Sequence, residues 1–359
     1  MPGSGVSPGA SSGRVVSGRV TSGEYRVNQV TIVPRRSRVR RTLVFLAIEL
    51  CALLALWGAA RVMHAERWPI VSAVVAWRNA AAVIVALVSL VCLVGWLLRP
   101  RRNHWLLFVL LPALVLAGLG GSGIARDGLT VDRVAEGHDR AIRLLSWNIN
   151  GDLVTSDAIV RLVRDTAADV VVLPATRAKR VKELVVALAP EGYVLAGSPG
   201  AAEAVIFSRI GYVRDRHADL GPSPFQAAVA RVRDGTGELP TIVAVHADHP
   251  TLSENDVWNR QISWIESLCT PTSSLLVVGD FNATVDNFGA PSLGSCRDAA
   301  SARHSAAIGT WPAALPPVLG IAIDHVLTTP NLSVRSFTVL QSEDQGGARH
   351  RPILAVIGY

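Results

Sequence analysis

Residues 1–41 contain no long apolar run; the first begins only after Arg41. A cleaved secretory signal needs such a run near its start, so none is expected. Gly, Ser and Val dominate this tail, with scattered Arg and no helical period, the composition of a segment without an apolar core of its own. Cysteine is scarce: Cys51 and Cys92 fall in apolar stretches, and Cys269 and Cys296 lie further on. A single pair gives no framework pattern, so a Cys269–Cys296 disulfide and two free thiols both stay open. No segment repeats at a fixed period, which leaves out repeat architectures.

Acidic residues are outnumbered, 28 against 35 Lys and Arg, for a net charge of +7 and a pI near 9.8. That balance can mark a nucleic-acid partner. Beyond residue 142, however, no run of Lys or Arg is interleaved with aromatics. Arg177, Lys179, Arg180 and Lys182 form a modest basic segment, which reads as a solvated helix face. Nucleic acid is the disfavoured partner.

Apolar sequence is in excess. Hydrophobic residues make up 50% of the chain and mean hydropathy is +0.34, high for a soluble protein. Three spans, 43–60, 80–98 and 105–124, are each near the roughly 20 residues that cross a hydrocarbon core of about 30 Å. They are expected to be transmembrane helices rather than buried helices of a soluble bundle. Arg35, Arg36, Arg38, Arg40 and Arg41 precede the first span, and Arg99, Arg101 and Arg102 separate the second from the third. The positive-inside rule places both clusters in the cytoplasm. The expected topology is then a multi-pass cell-membrane protein with a cytoplasmic N-terminus. The connection 61–79, with Trp68 and Trp77 suited to an interface, and everything after Ile124 lie outside. Arg61, Arg67 and Arg78 weaken the asymmetry without reversing it. Glu49, inside the first span, reads as protonated or facing the bundle interior.

The expected organisation is a basic tail (1–41), a three-helix membrane region (42–124), a polar linker (125–141) and an α/β domain (142–359). In that domain, apolar β-rich strings recur at 142–147, 170–173, 204–207, 228–232, 241–246, 275–278, 323–327 and 352–357. Helical periodicity marks 156–167, 177–188 and 256–268. Strands outnumber helices, as in two packed sheets with helices on their outer faces.

Leu275 to Thr284 reads Leu-Leu-Val-Val-Gly-Asp-Phe-Asn-Ala-Thr. A short buried strand here ends in a turn carrying Asp280 and Asn282, which share one face in an extended segment. Such a pair can hold a hydrated cation or orient water against a phosphate; an Asx turn is the plainer alternative. Polar residues recur at other strand ends: Asn148, His246, Asp324 with His325, and Arg349 with His350. Five such positions at once suggest a site along one edge of a sheet sandwich.

Six motifs stand in order: Ser-Trp-Asn-Ile-Asn (146–150), Val-Val-Val-Leu-Pro (170–174), Val-His (245–246), Gly-Asp-Phe-Asn-Ala-Thr (279–284), Ile-Asp-His-Val (323–326) and His-Arg-Pro (350–352). Residues 142–359 thereby resemble the endonuclease/exonuclease/phosphatase superfamily, with its DNase I-like two-sheet sandwich. Thr310-Trp311-Pro312 and the preceding apolar spans resemble a bacterial membrane-anchored branch of it. The resemblance implies a phosphoesterase that uses magnesium or manganese. It implies His350 as general base oriented by Asp324, and His246 contacting phosphate or aiding the leaving group. Asp280 and Asn282 would position nucleophile and phosphate, with Asn148 near the metal.

Two positions depart from the pattern. The metal-binding glutamate that normally follows the second motif is replaced by Ala175, and the aspartate before His350 by Arg349. Mg²⁺ is held largely through carboxylates, and a nearby guanidinium opposes it; Arg349 could instead clamp phosphate. Glu183 and Glu203 are the candidate replacements for the glutamate. The expected function is phosphoester hydrolysis on a phosphorylated small molecule or lipid headgroup of the envelope, in contact with the bilayer. The alternative is a degenerate phosphate-binding or scaffold protein.

Overall fold

The computed structural model describes residues 44–52, 55, 63, 65–98, 104–132, 140–150, 153–197, 204–215, 218–222, 227–232, 239–288, 293–342 and 347–359. The chain divides into residues 1–45 and 46–359; of the first part only Val44 and Phe45 are described, both helical.

Among the described residues, two helices are long and apolar enough to cross a membrane. Helix α1 (Pro69–Ala76) leads through Trp77 into α2 (Arg78–Leu98), and α3 is Leu107–Asp127. These two helices contain the expected second and third spans. The expected three-span region is thus reduced to two candidates: residues 44–52 and 55 are helical, while 53–54 and 56–60 of the first span lie outside the described residues. The tail 1–41 and the arginine cluster 99–102 lie outside them too. Val91 and Leu98 in α2 are 71% and 76% exposed, so this helix is not covered as a core helix would be.

The expected linker is anchored at its start. Helix α3 runs on to Asp127, and the Thr130 N–H donates to His304 O at 2.9 Å. Arg303 donates to Asp132 at 2.6 and 3.1 Å. Residues 133–139 lie outside the described residues.

From Ala141 the chain builds two six-stranded sheets. The first has the order β11-β12-β1-β2-β4-β3, the second β5-β6-β7-β8-β10-β9. In the first, β1 is Ala141–Ser146, β2 Val170–Pro174, β3 Val194–Gly197, β4 Ala204–Ser208, β11 Ser333–Val339 and β12 Ile353–Gly358. In the second, β5 is Tyr212–Arg214, β6 Ala228–Val232, β7 Thr241–His246, β8 Leu275–Asp280, β9 Arg297–Asp298 and β10 Asp324–Thr328. Helices α4 (Ser156–Thr166) and α5 (Ala178–Leu188) cover the outer face of the first sheet. Helix α6 (Asn255–Leu268) covers that of the second. Thr155 caps α4, accepting the Ala158 N–H at 3.2 Å, as a helix N-terminus with orphan donors favours.

Strand periodicity sorts the core into layers. Ile142, Leu144, Ile242, Ala244, Leu276, Val278, Val326 and Ile353 face each other between the sheets. Leu145, Val171 and Leu354 face α4 and α5, while Val245, Leu275, Val277 and Leu327 face α6. Because the side-chain period is two, the inter-sheet positions of β1, β7, β8 and β10 continue outward to Asn148, His246, Asp280 and Asp324. The two-sheet α/β sandwich therefore delivers these four to one end of its central layer.

Candidate active site

Gly279 brings β8 against β7. Its φ is +142°, and a Cβ there would stand 2.0 Å from Val245 O; only glycine lets the strands approach this closely. In this parallel pair His246 stands opposite Asp280, and in the antiparallel pair β8–β10 Asp324 stands opposite Asp280. The Asn282 N–H donates to Asp280 Oδ1 at 2.8 Å, and its Nδ2 donates to Ala247 O at 2.8 Å. That is the Asx turn of the plainer reading. Asn148 Nδ2 donates to Asp280 Oδ2 at 2.7 Å, while its Oδ1 accepts the Asn150 N–H at 2.9 Å.

His350 closes the group. Its Nδ1 is 2.9 Å from Asp324 Oδ2, so with Asp324 ionised Nδ1 carries the hydrogen and Nε2 is left to react. Nε2 is 3.8 Å from Asp280 Oδ2. Burial opposes charge on His350, but Asp324 and then Asp280 outweigh it and raise the pKa above the ordinary value; the nearby Arg349 guanidinium acts the other way. The Asp280 carboxyl is pushed up by burial and by the Asp324 charge, with His350 and His246 opposing. Arg349 is exposed, and its carbonyl accepts the Ala313 N–H at 2.8 Å.

His325, named alongside Asp324, points to the opposite side of β10. It is buried against Phe281 and Phe288 at ring distances of 5.3 and 5.6 Å. Nδ1 contacts Asp298 Oδ1 at 2.9 Å and Nε2 contacts Ala283 O at 2.8 Å. Both partners are acceptors, an arrangement that favours the doubly protonated ring, and His325 is accordingly raised above its ordinary value: burial opposes the charge and Asp298 outweighs it. Glu183 does not reach the site: it is bound to Arg180 and to Ser156 on the helical layer at 2.5 and 3.0 Å. Glu203 lies outside the described residues. Cys269 and Cys296 are joined as a disulfide, with Cα atoms 5.2 Å apart.

Two residues inside the quoted motifs, Thr310 and Arg351, have supporting roles that only the fold reveals. Thr310 Oγ1 accepts the N–H groups of Ile323 and Asp324 at 3.1 and 3.2 Å, fixing the entry to β10. Arg351 is buried and donates to the carbonyls of Gly309, Ala313 and Leu315 at 3.0, 2.8 and 2.7 Å. The segment 309–315 is thereby held beside His350, with the Trp311 ring 6.5 Å from the imidazole. Trp147 Nε1 donates to His350 O at 2.9 Å, fixing the backbone from the other side.

Residues 145–345, more than half of the chain, match the Endonuclease/Exonuclease/phosphatase family. The chain belongs to this family. No curated protein sequence is significantly similar to it. Among solved structures, a 3′-5′ exonuclease from Neisseria meningitidis shares 19% identity, with 61% of this chain and 100% of that chain covered and a TM-score of 0.49. A mannosyl-6-phosphatase from Bacteroides thetaiotaomicron shares 14% identity over 61% and 100% of the two chains, with a TM-score of 0.47.

Family members typically depend on a divalent metal, and Asp280, Asp324 and His350 place three ligand atoms within 4.8 Å of one another. The donors present do not fit the family's usual cation site. Ala175 and Arg349, where the resemblance expects a glutamate and an aspartate, offer no carboxylate. Both Asp280 oxygens and Asp324 Oδ2 already contact protein donors. Of the Asp280 and Asp324 carboxylate oxygens, only Asp324 Oδ1 is buried without a hydrogen-bond partner among the described residues. Mg²⁺ and Mn²⁺ take several hard oxygen ligands, and here two carboxylates, both tied into protein hydrogen bonds, are the acidic ligands within reach.

Proposed function

We propose that this chain is a membrane-anchored phosphoester hydrolase in which protein groups carry the reaction. The single observation behind it is the buried His350–Asp324 pair with Nε2 of His350 turned away from Asp324. Water enters beside Nε2 and gives up a proton to it as its oxygen bonds to phosphorus. Asp324 stabilises the imidazolium that forms. The P–O bond to the leaving group breaks in line, and His246, protonated at the outset, gives its proton to the departing oxygen; solvent then carries the proton held by His350 away and reprotonates His246. Asn148 and Asn282 hold the Asp280 carboxylate, which orients the water. Arg349 offers the phosphate two parallel donors and takes over charge neutralisation that a cation supplies elsewhere.

The substrate is a phosphorylated small molecule or lipid headgroup of the cell envelope, and the domain faces the outer side of a multi-pass membrane protein. The Cys269–Cys296 disulfide supports an oxidising compartment. Arg67 pairs with Glu266 and Asn287 Nδ2 donates to Glu66 O at 3.0 Å, contacts that support a reading with the connection before α2 and the domain on one side. This agrees with a topology in which both are external.

Loss of the two carboxylates favours a second reading, phosphate binding without turnover. The test is turnover of bis(4-nitrophenyl) phosphate by the full chain in detergent, with wild type compared to His350→Ala. Turnover that disappears in the variant supports the enzyme; equal background in both leaves the binding reading.

A further inference from the structure

Two ring contacts connect the reacting imidazole to the start of an apolar helix. Trp311, 6.5 Å from His350, also meets Trp77 edge-on at 5.8 Å. Trp77 is the single residue between α1 and α2. The junction is held firmly. Arg78 pairs with both Asp127, at the end of α3, and Asp286, four residues beyond Asn282. Arg126 reaches Asp286 at 2.6 Å, and Asn79 Nδ2 donates to Ala307 O at 3.1 Å. The domain-proximal ends of both apolar helices are therefore bonded to loops that carry the site.

Helix α1 adds an apolar surface at the same place. Its inner side contacts the domain: Ser72 is buried, and its carbonyl accepts Asn287 Nδ2 at 3.3 Å. Its outer side exposes Ile70 to 69% and Val74 to 62%, one turn apart, with Trp68 at 47% just before. Further exposed apolar side chains follow in α2 from Val83 onward. An apolar face on a helix joined by one residue to a membrane-length helix, and edged by tryptophan, is suited to the hydrocarbon–headgroup boundary. A water-soluble ester would gain nothing from it.

We propose that the site takes the phosphoester headgroup of a membrane lipid from the bilayer surface, with α1 seated in the interface and Trp77 and Trp311 forming the wall along which the headgroup reaches His350. This rests on the phosphoester reading above. In it, the lipid stays in the leaflet, and the Arg78 pairs keep the site at headgroup depth.

The test uses the full chain in phosphatidylglycerol–phosphatidylcholine vesicles with a trace of phosphatidylglycerol carrying a photoactivatable headgroup. Adducts are expected on the peptides holding Trp77 and Trp311, displaced by unlabelled phosphatidylglycerol and not by glycerol phosphate. Ile70→Asp with Val74→Asp, both at exposed positions, is expected to lower these adducts and vesicle-lipid turnover about tenfold. Turnover of soluble bis(4-nitrophenyl) phosphate in that variant is expected to stay within about twofold of wild type. Adducts confined to 79–98 and 107–127, displacement by glycerol phosphate, or equal loss on both substrates overturns the proposal. If neither substrate turns over, the hydrolytic reading falls and the labelling pattern alone decides the lipid.

Discussion

Nε2 of His350 stops 3.8 Å short of Asp280 Oδ2, outside hydrogen-bond reach, while Nδ1 is committed to Asp324 at 2.9 Å. One nitrogen is held and the other left to react. Asp324→Asn keeps the shape but removes the charge that fixes the tautomer and favours the imidazolium. Turnover is expected to fall by about 10²–10⁴-fold with KM little changed, read from steady-state kinetics.

The pH dependence follows from the same pair. His350 is raised above its ordinary value of 6.5, and the general base proposed for it must be neutral to act. The acid limb of kcat/KM is therefore expected to have its midpoint above 6.5 in wild type and at lower pH in Asp324→Asn, measured across a pH series.

Stability has a matching sign. His350 and His325, both raised by neighbouring carboxylates that outweigh burial, bind protons more tightly folded than unfolded. Their contribution is complete below 6.5 and lost as pH rises through the folded values. Asp280, raised by burial and by Asp324, also loses stability as pH rises. The unfolding midpoint of the full chain is expected to fall between about pH 6 and pH 9, and a midpoint that rises over this range contradicts the assignment.

Backbone geometry separates two substitutions. Gly279→Ala places a methyl carbon 2.0 Å from Val245 O and is expected to cost at least about 2–3 kcal/mol, read by thermal unfolding. Ala175 has φ of +53°, so Ala175→Gly relieves strain and is expected to stabilise by about 0.5–1 kcal/mol.

At the helix junction, Arg78 is 19% exposed and its partners Asp127 and Asp286 are 5% and 15% exposed. Arg78→Gln leaves Arg126 as the remaining cation and is expected to destabilise by about 2 kcal/mol; Arg78→Lys restores only part of this, because an ammonium cannot fork to two carboxylates.

The sandwich was legible where strands are buried on both faces. Runs such as 170–173 and 275–278 are continuous Val and Leu, and each became a central strand. The edge strands β3, β5, β9 and β11 were not read, because they are short or mix Ser, Arg and Thr with apolar residues. The helical periods at 156–167, 177–188 and 256–268 became α4, α5 and α6 to within a residue at each end. The strand read as 323–327 begins one residue later, at Asp324, whose N–H Thr310 accepts. The convergence of Asn148, His246, Asp280, Asp324 and His350 was readable from motifs at strand ends. The roles of Thr310, Arg351 and Trp77 were not, since each depends on a contact between segments far apart in sequence.

The most direct test is calorimetric titration of Mg²⁺ and Mn²⁺ into the full chain alongside phosphodiester turnover, for wild type, His350→Ala and the double variant Ala175→Glu with Arg349→Asp. Wild-type turnover that survives chelation and disappears in His350→Ala is the result expected of a site that works through its own residues. Turnover seen only in the double variant, together with metal binding that wild type lacks, contradicts it and makes this a site that holds phosphate without cleaving it.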